Sequence, residues 1–477
     1  MLGDPLDLTV RPLYSWGGRG RPSCWVACIR SLVNHQLVAE AIIRPLTQAR
    51  GRDTDTGSAG PAVHVPQVQA AQDLHEVAVR LMDGWTVIVQ PASPAPTLWL
   101  ADTAERPGRP VEEPQNETGV RVPREGFVER LESNLSLVRS RLRHTGLRIE
   151  ERRLGRRTAT RLALLYIEDL INPHILGTVR SRLDGIQLDG LLESGYVEEF
   201  LEESPLSPFP QLLRTERPDT VVANLLEGRF AILTDNTPFA LIGPVVLGQL
   251  LTTPEDYYER FLIGSLLRAL RYAAFAISIL LPALYVSVTT YHAEMIPTPL
   301  LLSIAAAREG VPFPALVEAL IMELNFEVLR EAGLRLPRAV GPAVSIVGAL
   351  VLGQAAINAN LVSPAMVIVV AITAIASFAT PIFSVAIAAR IIRFLFTLAG
   401  GLLGLYGVQA VAFLFLVHLV ALRSFGIPYL APVTPANPAA WKDLVVRLPW
   451  RAIGTRPEFL MPGDVVRAGR TPGGGQP

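Results

Sequence analysis

The sequence predicts an α/β N-terminal region of two similar subdomains, followed by an all-α polytopic membrane domain. Three observations carry this. No Asp, Glu, Lys, Arg or His stands between Gly341 and Ala389, a run long enough for two crossings, since one helix needs about 20 apolar residues. Charge crowds the chain before about residue 270 and apolar runs crowd it after, so the formal net charge of +0 averages two unlike halves. Within the charged half, two pieces match each other in order.

The matching pieces come first along the chain. WVACIRSLV and RLALLYIEDLI are apolar runs of strand length with branched and aromatic residues. CIRSLVNHQLV aligns with YIEDLINPHIL, placing Leu32, Val33 and Asn34 on Leu170, Ile171 and Asn172. Further on, MDGWTVIV aligns with LEGRFAIL, so that a turn glycine, Gly84 or Gly228, precedes a strand in each. Subdomains at 1–120 and 121–250 are expected, each strand–helix–strand with a closing hairpin. A Pro-, Gly- and charge-rich stretch at 101–127 reads as the linker between them.

The arginines after that linker, Arg139, Arg141, Arg143, Arg148, Arg152, Arg153, Arg156 and Arg157, admit two readings. One is a nucleic-acid or headgroup patch. The other is a solvated helix face interleaved with Glu150 and Glu151; it is preferred, because aromatic stacking partners are missing, and no nucleic acid is expected as a partner. Of the 43 basic residues only Lys442 is lysine, which reads as codon composition. Cys24 and Cys28 cannot build a disulfide framework and have no second Cys or His pair for zinc. The start, MLGDPLDLTVRPLYSW, has no apolar h-region, so the first span is expected to act as the insertion signal.

The membrane domain is expected over 251–430, with four or five spans, and a basic cytoplasmic tail over 431–477. Tyr272 to Tyr291 is uncharged and contains Pro282; Arg268 and Arg271 before it place its N-terminal side, and the duplicated region, in the cytoplasm. Pro299 to Ala307 is too short to span and reads as re-entrant or interfacial. The following helix carries Glu323, Glu327 and Glu331 at four-residue steps. A lipid-facing carboxylate stripe is too costly, so the stripe is either the solvated face of an interfacial helix or an acidic vestibule that attracts cations. The uncharged run supplies two spans, about 341–360 and 364–387, turning at Asn358, Asn360, Ser363 and Pro364. Arg390 and Arg393 are expected to end it before a fourth apolar stretch from Phe394 to Leu422, where Gly400, Gly401, Gly404 and Gly407 allow close packing or a bend.

PEDYYERFLIGSLLRALRY, LPALYVSVTTYHAEMIPTPLLLSIAAAREGVPFPALVEALIMELNFEVLREAGLRLPR and AVSIVGALVLGQAAINANLVSPAMVIVVAITAIASF closely resemble the GerA family of spore germination proteins. RPVEEPQNETGVRVPREGF and LDGLLESGYVEEF resemble its linker and second subdomain. The resemblance covers nearly the whole chain, more loosely before residue 100. It implies the A subunit of a spore germinant receptor, or the close paralogue stage V sporulation protein AF, in the inner spore membrane. It also implies a nutrient-binding, transporter-like B subunit and a lipoprotein C subunit as partners, and an oligomeric, nutrient-gated cation channel as the activity. A secondary transporter and a membrane-anchored scaffold are the alternatives; catalysis and cofactors are not expected. His174 and His292 stand alone and read as turn or interface residues.

Two faces of the second expected span are candidate sites. Gly341, Ser345, Gly348, Leu352, Ala355 and Ala359 form a face that is small except at Leu352, fit for close packing within the chain or between copies. Val347, Val351, Gln354 and Asn358 form another, about 110° away. In a ring of copies it would give two valine layers and two amide layers lining a pore; otherwise the amides bond to a neighbouring helix.

Overall fold

A computed structural model describes residues 7–14, 22–48, 61–91, 96–104, 117, 121–335, 351, 353–436, 441 and 443–467. The chain divides into two compact units: Met1–Glu202 with Leu212–Pro244 and Ile453–Pro477, and Glu203–Gln211 with Val245–Ala452.

The first unit contains two five-stranded antiparallel sheets of one design. Strands β1 (Leu8–Leu13), β2 (Cys24–Ile29), β3 (Val68–Ala70), β4 (Trp85–Gln90) and β5 (Thr97–Asp102) lie in the order β1-β2-β4-β5-β3. Strands β6 (Leu147–Leu154), β7 (Thr160–Ile167), β8 (Leu213–Thr215), β9 (Phe230–Thr234) and β10 (Ala240–Gly243) lie in the order β6-β7-β9-β10-β8. Renumbered from one, the two orders are identical, as two similar subdomains require.

Local chemistry repeats as well. Asn34 accepts the Leu37 N–H at 2.9 Å and caps helix α1 (His35–Leu37), which runs through a π-turn (Val38–Ile43) into α2 (Arg44–Gln48). Its aligned partner Asn172 accepts the His174 N–H at 2.9 Å and caps α5 (Pro173–Asp184). An Asn side chain in this place satisfies an amide that the first helical turn leaves unpaired. The helices α3 (Leu74–Met82) and α7 (Pro218–Leu225) precede Gly84 and Gly228, whose φ angles are +86° and +88°. Glycine reaches that left-handed conformation without a Cβ penalty, which ends the helix and starts the strand.

The arginine-rich segment is not one solvated face. It forms α4 (Leu131–Arg141) and then β6. Arg139 is buried with Asp7 in a two-point pair, Nη2 to Oδ1 at 2.9 Å and Nε to Oδ2 at 3.1 Å. Arg141, Arg143, Arg148, Arg152 and Arg157 each pair with a carboxylate. After α6 (Ser194–Leu201) the acidic, proline-broken stretch runs as turns and loop to residue 212.

The second unit is helical. After the single turns α8 (Leu247–Leu250) and α9 (Glu255–Tyr258) come α10 (Phe261–Tyr291), α11 (Thr298–Arg308), α12 (Ala315–Arg335), α13 (described at 351 and 353–358), α14 (Pro364–Phe378) and α15 (Phe383–Ala421). By length and composition α10 and α15 are long and apolar enough to cross a membrane. Val286, Ala315, Ala319, Met366 and Val370 form a shared core between α10, α12 and α14. Outside it, Leu266, Leu270, Ile375, Phe378, Leu403 and Phe413 are each more than 60% exposed. A surface this apolar wants a non-aqueous partner.

Three expectations for this unit change in detail. The turn between α13 and α14 does fall at Asn360, whose φ is +54°, and at Ser363, whose hydroxyl accepts the Met366 N–H and caps α14. Arg390 and Arg393, however, lie inside α15 rather than at the end of a span. The break comes earlier, at the residues around Pro381, because the two guanidiniums find carboxylates within the bundle and need no water. Likewise α10 begins at Phe261, so Arg268 and Arg271 sit within it. Arg268 is buried on Asp443 (2.8 Å) and Asp256 (3.3 Å), and its charge is already matched there.

The third change is at Gly404. Its φ of 63° and ψ of −146° interrupt α15, in a region open essentially to glycine alone. The two arms fold back on each other: Phe396 and Phe415 bring their rings to 6.2 Å, whereas an unbroken helix would separate those residues by about 28 Å. The fourth apolar stretch, Phe394 to Leu422, therefore contains the turn of a helical hairpin rather than one continuous span.

Candidate functional site

The helical unit holds a charged cluster away from its apolar surface. Helix α12 contributes Glu323 and Glu327, and the first arm of α15 contributes Arg390 and Arg393. The four-residue spacing on α12 stacks the carboxylates on one face, and the three-residue spacing on α15 does the same for the guanidiniums. Arg390 Nη1 donates to Glu327 Oε2 at 2.8 Å and Arg393 Nη2 to Glu327 Oε1 at 3.1 Å. Arg393 Nε lies 3.5 Å from Glu323 Oε2. Both Glu323 oxygens are buried without a hydrogen-bond donor, so that last approach is Coulombic contact rather than a hydrogen bond. Arg330 donates to Ser377 Oγ at 2.7 Å and stacks over Phe326 and Phe378.

Of the three glutamates in the stripe, then, two turn inward onto arginines and Glu331 is exposed. The periodicity revealed the stripe; its partners lie more than sixty residues on and had no local signature. Glu318, five residues before Glu323, falls outside the four-residue stripe and has no mark in its periodicity. It is buried, pairs with Arg308 at 3.1 Å and accepts the Ser363 N–H at 2.9 Å, tying α11 and α12 to the start of α14. Low dielectric makes such pairs strong once formed and costly to break. The cluster can thus hold two helices in register, or release them if one charge is lost.

The candidate pore face is described in part. Val351 is 57% exposed, and Gln354 and Asn358 are exposed and joined by a 3.1 Å hydrogen bond from Gln354 Nε2 to Asn358 Oδ1. Ala355 and Ala359, on the small face, are exposed too. Val347, Gly341, Ser345, Gly348 and the Leu352 side chain lie outside the described residues. Among the described residues, side chains of both faces are therefore exposed, and the amides satisfy each other only in part.

In the first unit, burial beside the Glu202 carboxylate pushes the Glu198 carboxyl of α6 up to about 7, with Arg214 opposing and Glu193 adding to the rise. Cys24 and Cys28 are buried free thiols on β2, and burial raises both. Among the described residues no group of three or more His, Cys, Asp or Glu could hold a metal ion.

The family model described as Bacillus/Clostridium GerA spore germination protein matches residues 1–459. The chain is 44% identical to spore germination protein KA of Bacillus subtilis (strain 168), over 98% of this chain and 86% of that protein. It is 40% identical to spore germination protein GerLA of Bacillus cereus, over 97% and 94%. The Bacillus subtilis membrane protein YfkQ is 42% identical over 92% and 86%. Among solved structures, the N-terminal domain of the A subunit of the Bacillus megaterium spore germinant receptor GerK3 aligns with a TM-score of 0.37 and 26% identity, covering 52% of this chain and 91% of that one.

Proposed function

The chain belongs to the Bacillus/Clostridium GerA spore germination protein family, and we propose that within it this protein is the A subunit of a spore germinant receptor that forms an oligomeric cation channel. Its helical unit spans the inner spore membrane several times, with the two-sheet region in the cytoplasm. It works beside a transporter-like B subunit and a lipoprotein C subunit. The exposed apolar faces of α10, α14 and α15 support the membrane placement.

The observation that carries the channel reading is the exposed row Val351, Gln354 and Asn358 on an otherwise uncharged helix. Amides at membrane depth turn toward protein or water rather than lipid. In a ring, Val351 would close the pore by dewetting, and Gln354 and Asn358 would replace part of a cation's hydration shell. The small face, Gly341, Ser345, Gly348 and Ala355, would pack copy against copy, and Glu323, Glu327 and Glu331 would flank an entrance at which Glu331 is exposed. The break in α15 favours a secondary transporter instead, since transporters use discontinuous helices.

Val351→Ala tests the channel reading. In a dewetting gate it widens the constriction, so spores lose cations and germinate without nutrient. In a packing site the same change costs about 1–2 kcal/mol at most. Normal dormancy at normal protein level would overturn the gate, and solute-coupled flux from reconstituted protein would favour the transporter.

A further inference from the structure

The fold-back at Gly404 leaves backbone groups unpaired on both sides, because one helix ends and another begins within a single residue. Two adjacent residues at the end of α10 take them up. Tyr291 Oη donates to Gly401 O at 3.1 Å and to Leu402 O at 2.9 Å, closing the carbonyl end of the first arm. His292 Nε2 accepts the Leu405 N–H at 3.3 Å, closing the amide end of the second. In an unbroken helix the Leu405 amide would donate to the Gly401 carbonyl. Tyr291 and His292 thus stand in for the two halves of one missing helix bond.

The surroundings hold this joint tightly. A Cβ on Gly404 would come 3.0 Å from Tyr291 Cβ and 3.2 Å from His292 Nε2. A Cβ on Gly400 would come 2.6 Å from Ser287 Oγ and 2.9 Å from Ala283 O, so α10 and the first arm meet almost backbone to backbone just before the turn. The lock also has a chemical condition. An imidazole accepts through Nε2 only when neutral with its proton on Nδ1. Protonated, it loses the acceptor and brings a cation to a helix N-terminus, where the macrodipole opposes it. Among the described residues, the titratable groups beside it are Tyr406 of α15, with ring centroids 6.3 Å apart, and, along the chain, Tyr291 and Glu294 of the connecting turn (Ala293–Met295).

We propose that the Tyr291–His292 pair is a proton-releasable lock on the α15 hairpin: neutral His292 holds the two arms folded at Gly404, and its protonation frees the second arm to move. Assigning that motion to channel gating rests on the reading above; the lock itself does not.

Spin labels at Leu395→Cys and Leu416→Cys, exposed positions on the two arms, report the hairpin in the full chain in lipid nanodiscs. Cys24 and Cys28 are first replaced by Ser, so that only the arms carry label. At pH 8 a short, narrow distance distribution is expected, broadening and lengthening at pH 5, a range in which imidazole changes charge. His292→Gln keeps a neutral acceptor and should stay narrow at both pH values. His292→Leu should be broad at both. Tyr291→Phe, which keeps the imidazole, should loosen the arms at pH 8. An unchanged distribution in His292→Leu, or an acid response that persists in His292→Gln, would overturn the lock. Cation flux through the same nanodisc protein in liposomes is read separately: arms that respond as stated in a protein that never conducts would sink the channel and leave the lock standing.

Discussion

Gly228 lies so close to Leu170 that a Cβ on it would come 2.8 Å from the Leu170 carbonyl oxygen, and Gly84 stands in the same relation to Leu32, at 2.7 Å. The aligned residues of the two subdomains thus make the same contact, and both glycines hold a left-handed φ. Gly84→Ala and Gly228→Ala are each expected to cost about 1–3 kcal/mol, from the disfavoured conformation together with the collision. Denaturant midpoints followed by tryptophan fluorescence measure the loss. A variant within a few tenths of a kcal/mol of the parent would mean that the turn relaxes and that the repeated geometry imposes little.

These glycines also show what made the fold readable. Gly84 and Gly228, like Asn34 and Asn172, act through local backbone rules: a turn that needs positive φ, a helix start that needs an acceptor. Such rules leave marks within a few residues, and so does the Asn360–Ser363 turn. Arg139 shows the opposite. Its partner Asp7 lies 132 residues earlier in the chain, and nothing in the sequence around either residue distinguishes this arginine from Arg141 and Arg143. Arg390 and Arg393 misled for the same reason: charge in an apolar run signals water unless a partner is known, and Glu327 is far away in sequence. Gly404 fell among glycines correctly read as packing or bending positions, but only the contacts of Tyr291 and His292 single it out. Of the candidate site, the residues before Val351, together with Leu352, lie outside the described residues.

Glu198 gives the first unit a pH dependence of calculable sign. Its carboxyl titrates near 4.5 when unfolded and at about 7 when folded, so the folded state holds the proton more tightly. The stability from that proton is fully present below pH 4.5 and is lost as pH rises through 7. Glu198→Gln, which mimics the neutral acid, should leave stability unchanged at pH 4.5 and raise it by about 1–3 kcal/mol at pH 8. Hydrogen exchange of α6 amides across that range reads the effect. Equal protection of parent and variant at pH 8 would show that Glu198 is solvated well enough to ionise freely.

The cluster between α12 and α15 makes an ordered prediction, because its two carboxylates are not equivalent. Glu327 accepts from both Arg390 and Arg393, at 2.8 and 3.1 Å, whereas Glu323 meets Arg393 alone at 3.5 Å with no hydrogen bond. Glu327→Gln leaves two largely buried guanidiniums facing one remaining carboxylate, and breaking such a network costs about 3–5 kcal/mol. Glu323→Gln removes a buried charge that receives no hydrogen bond, so much of the lost attraction is offset by the desolvation no longer incurred. Thermal stability in detergent should therefore fall steeply in Glu327→Gln and little in Glu323→Gln. The reversed pair Glu327→Arg with Arg390→Glu keeps one attraction and should recover part of the loss, which neither reversal alone can do. If both neutral variants melt together, the two carboxylates share the arginines evenly, and Arg393 rather than Glu327 is the centre of the cluster.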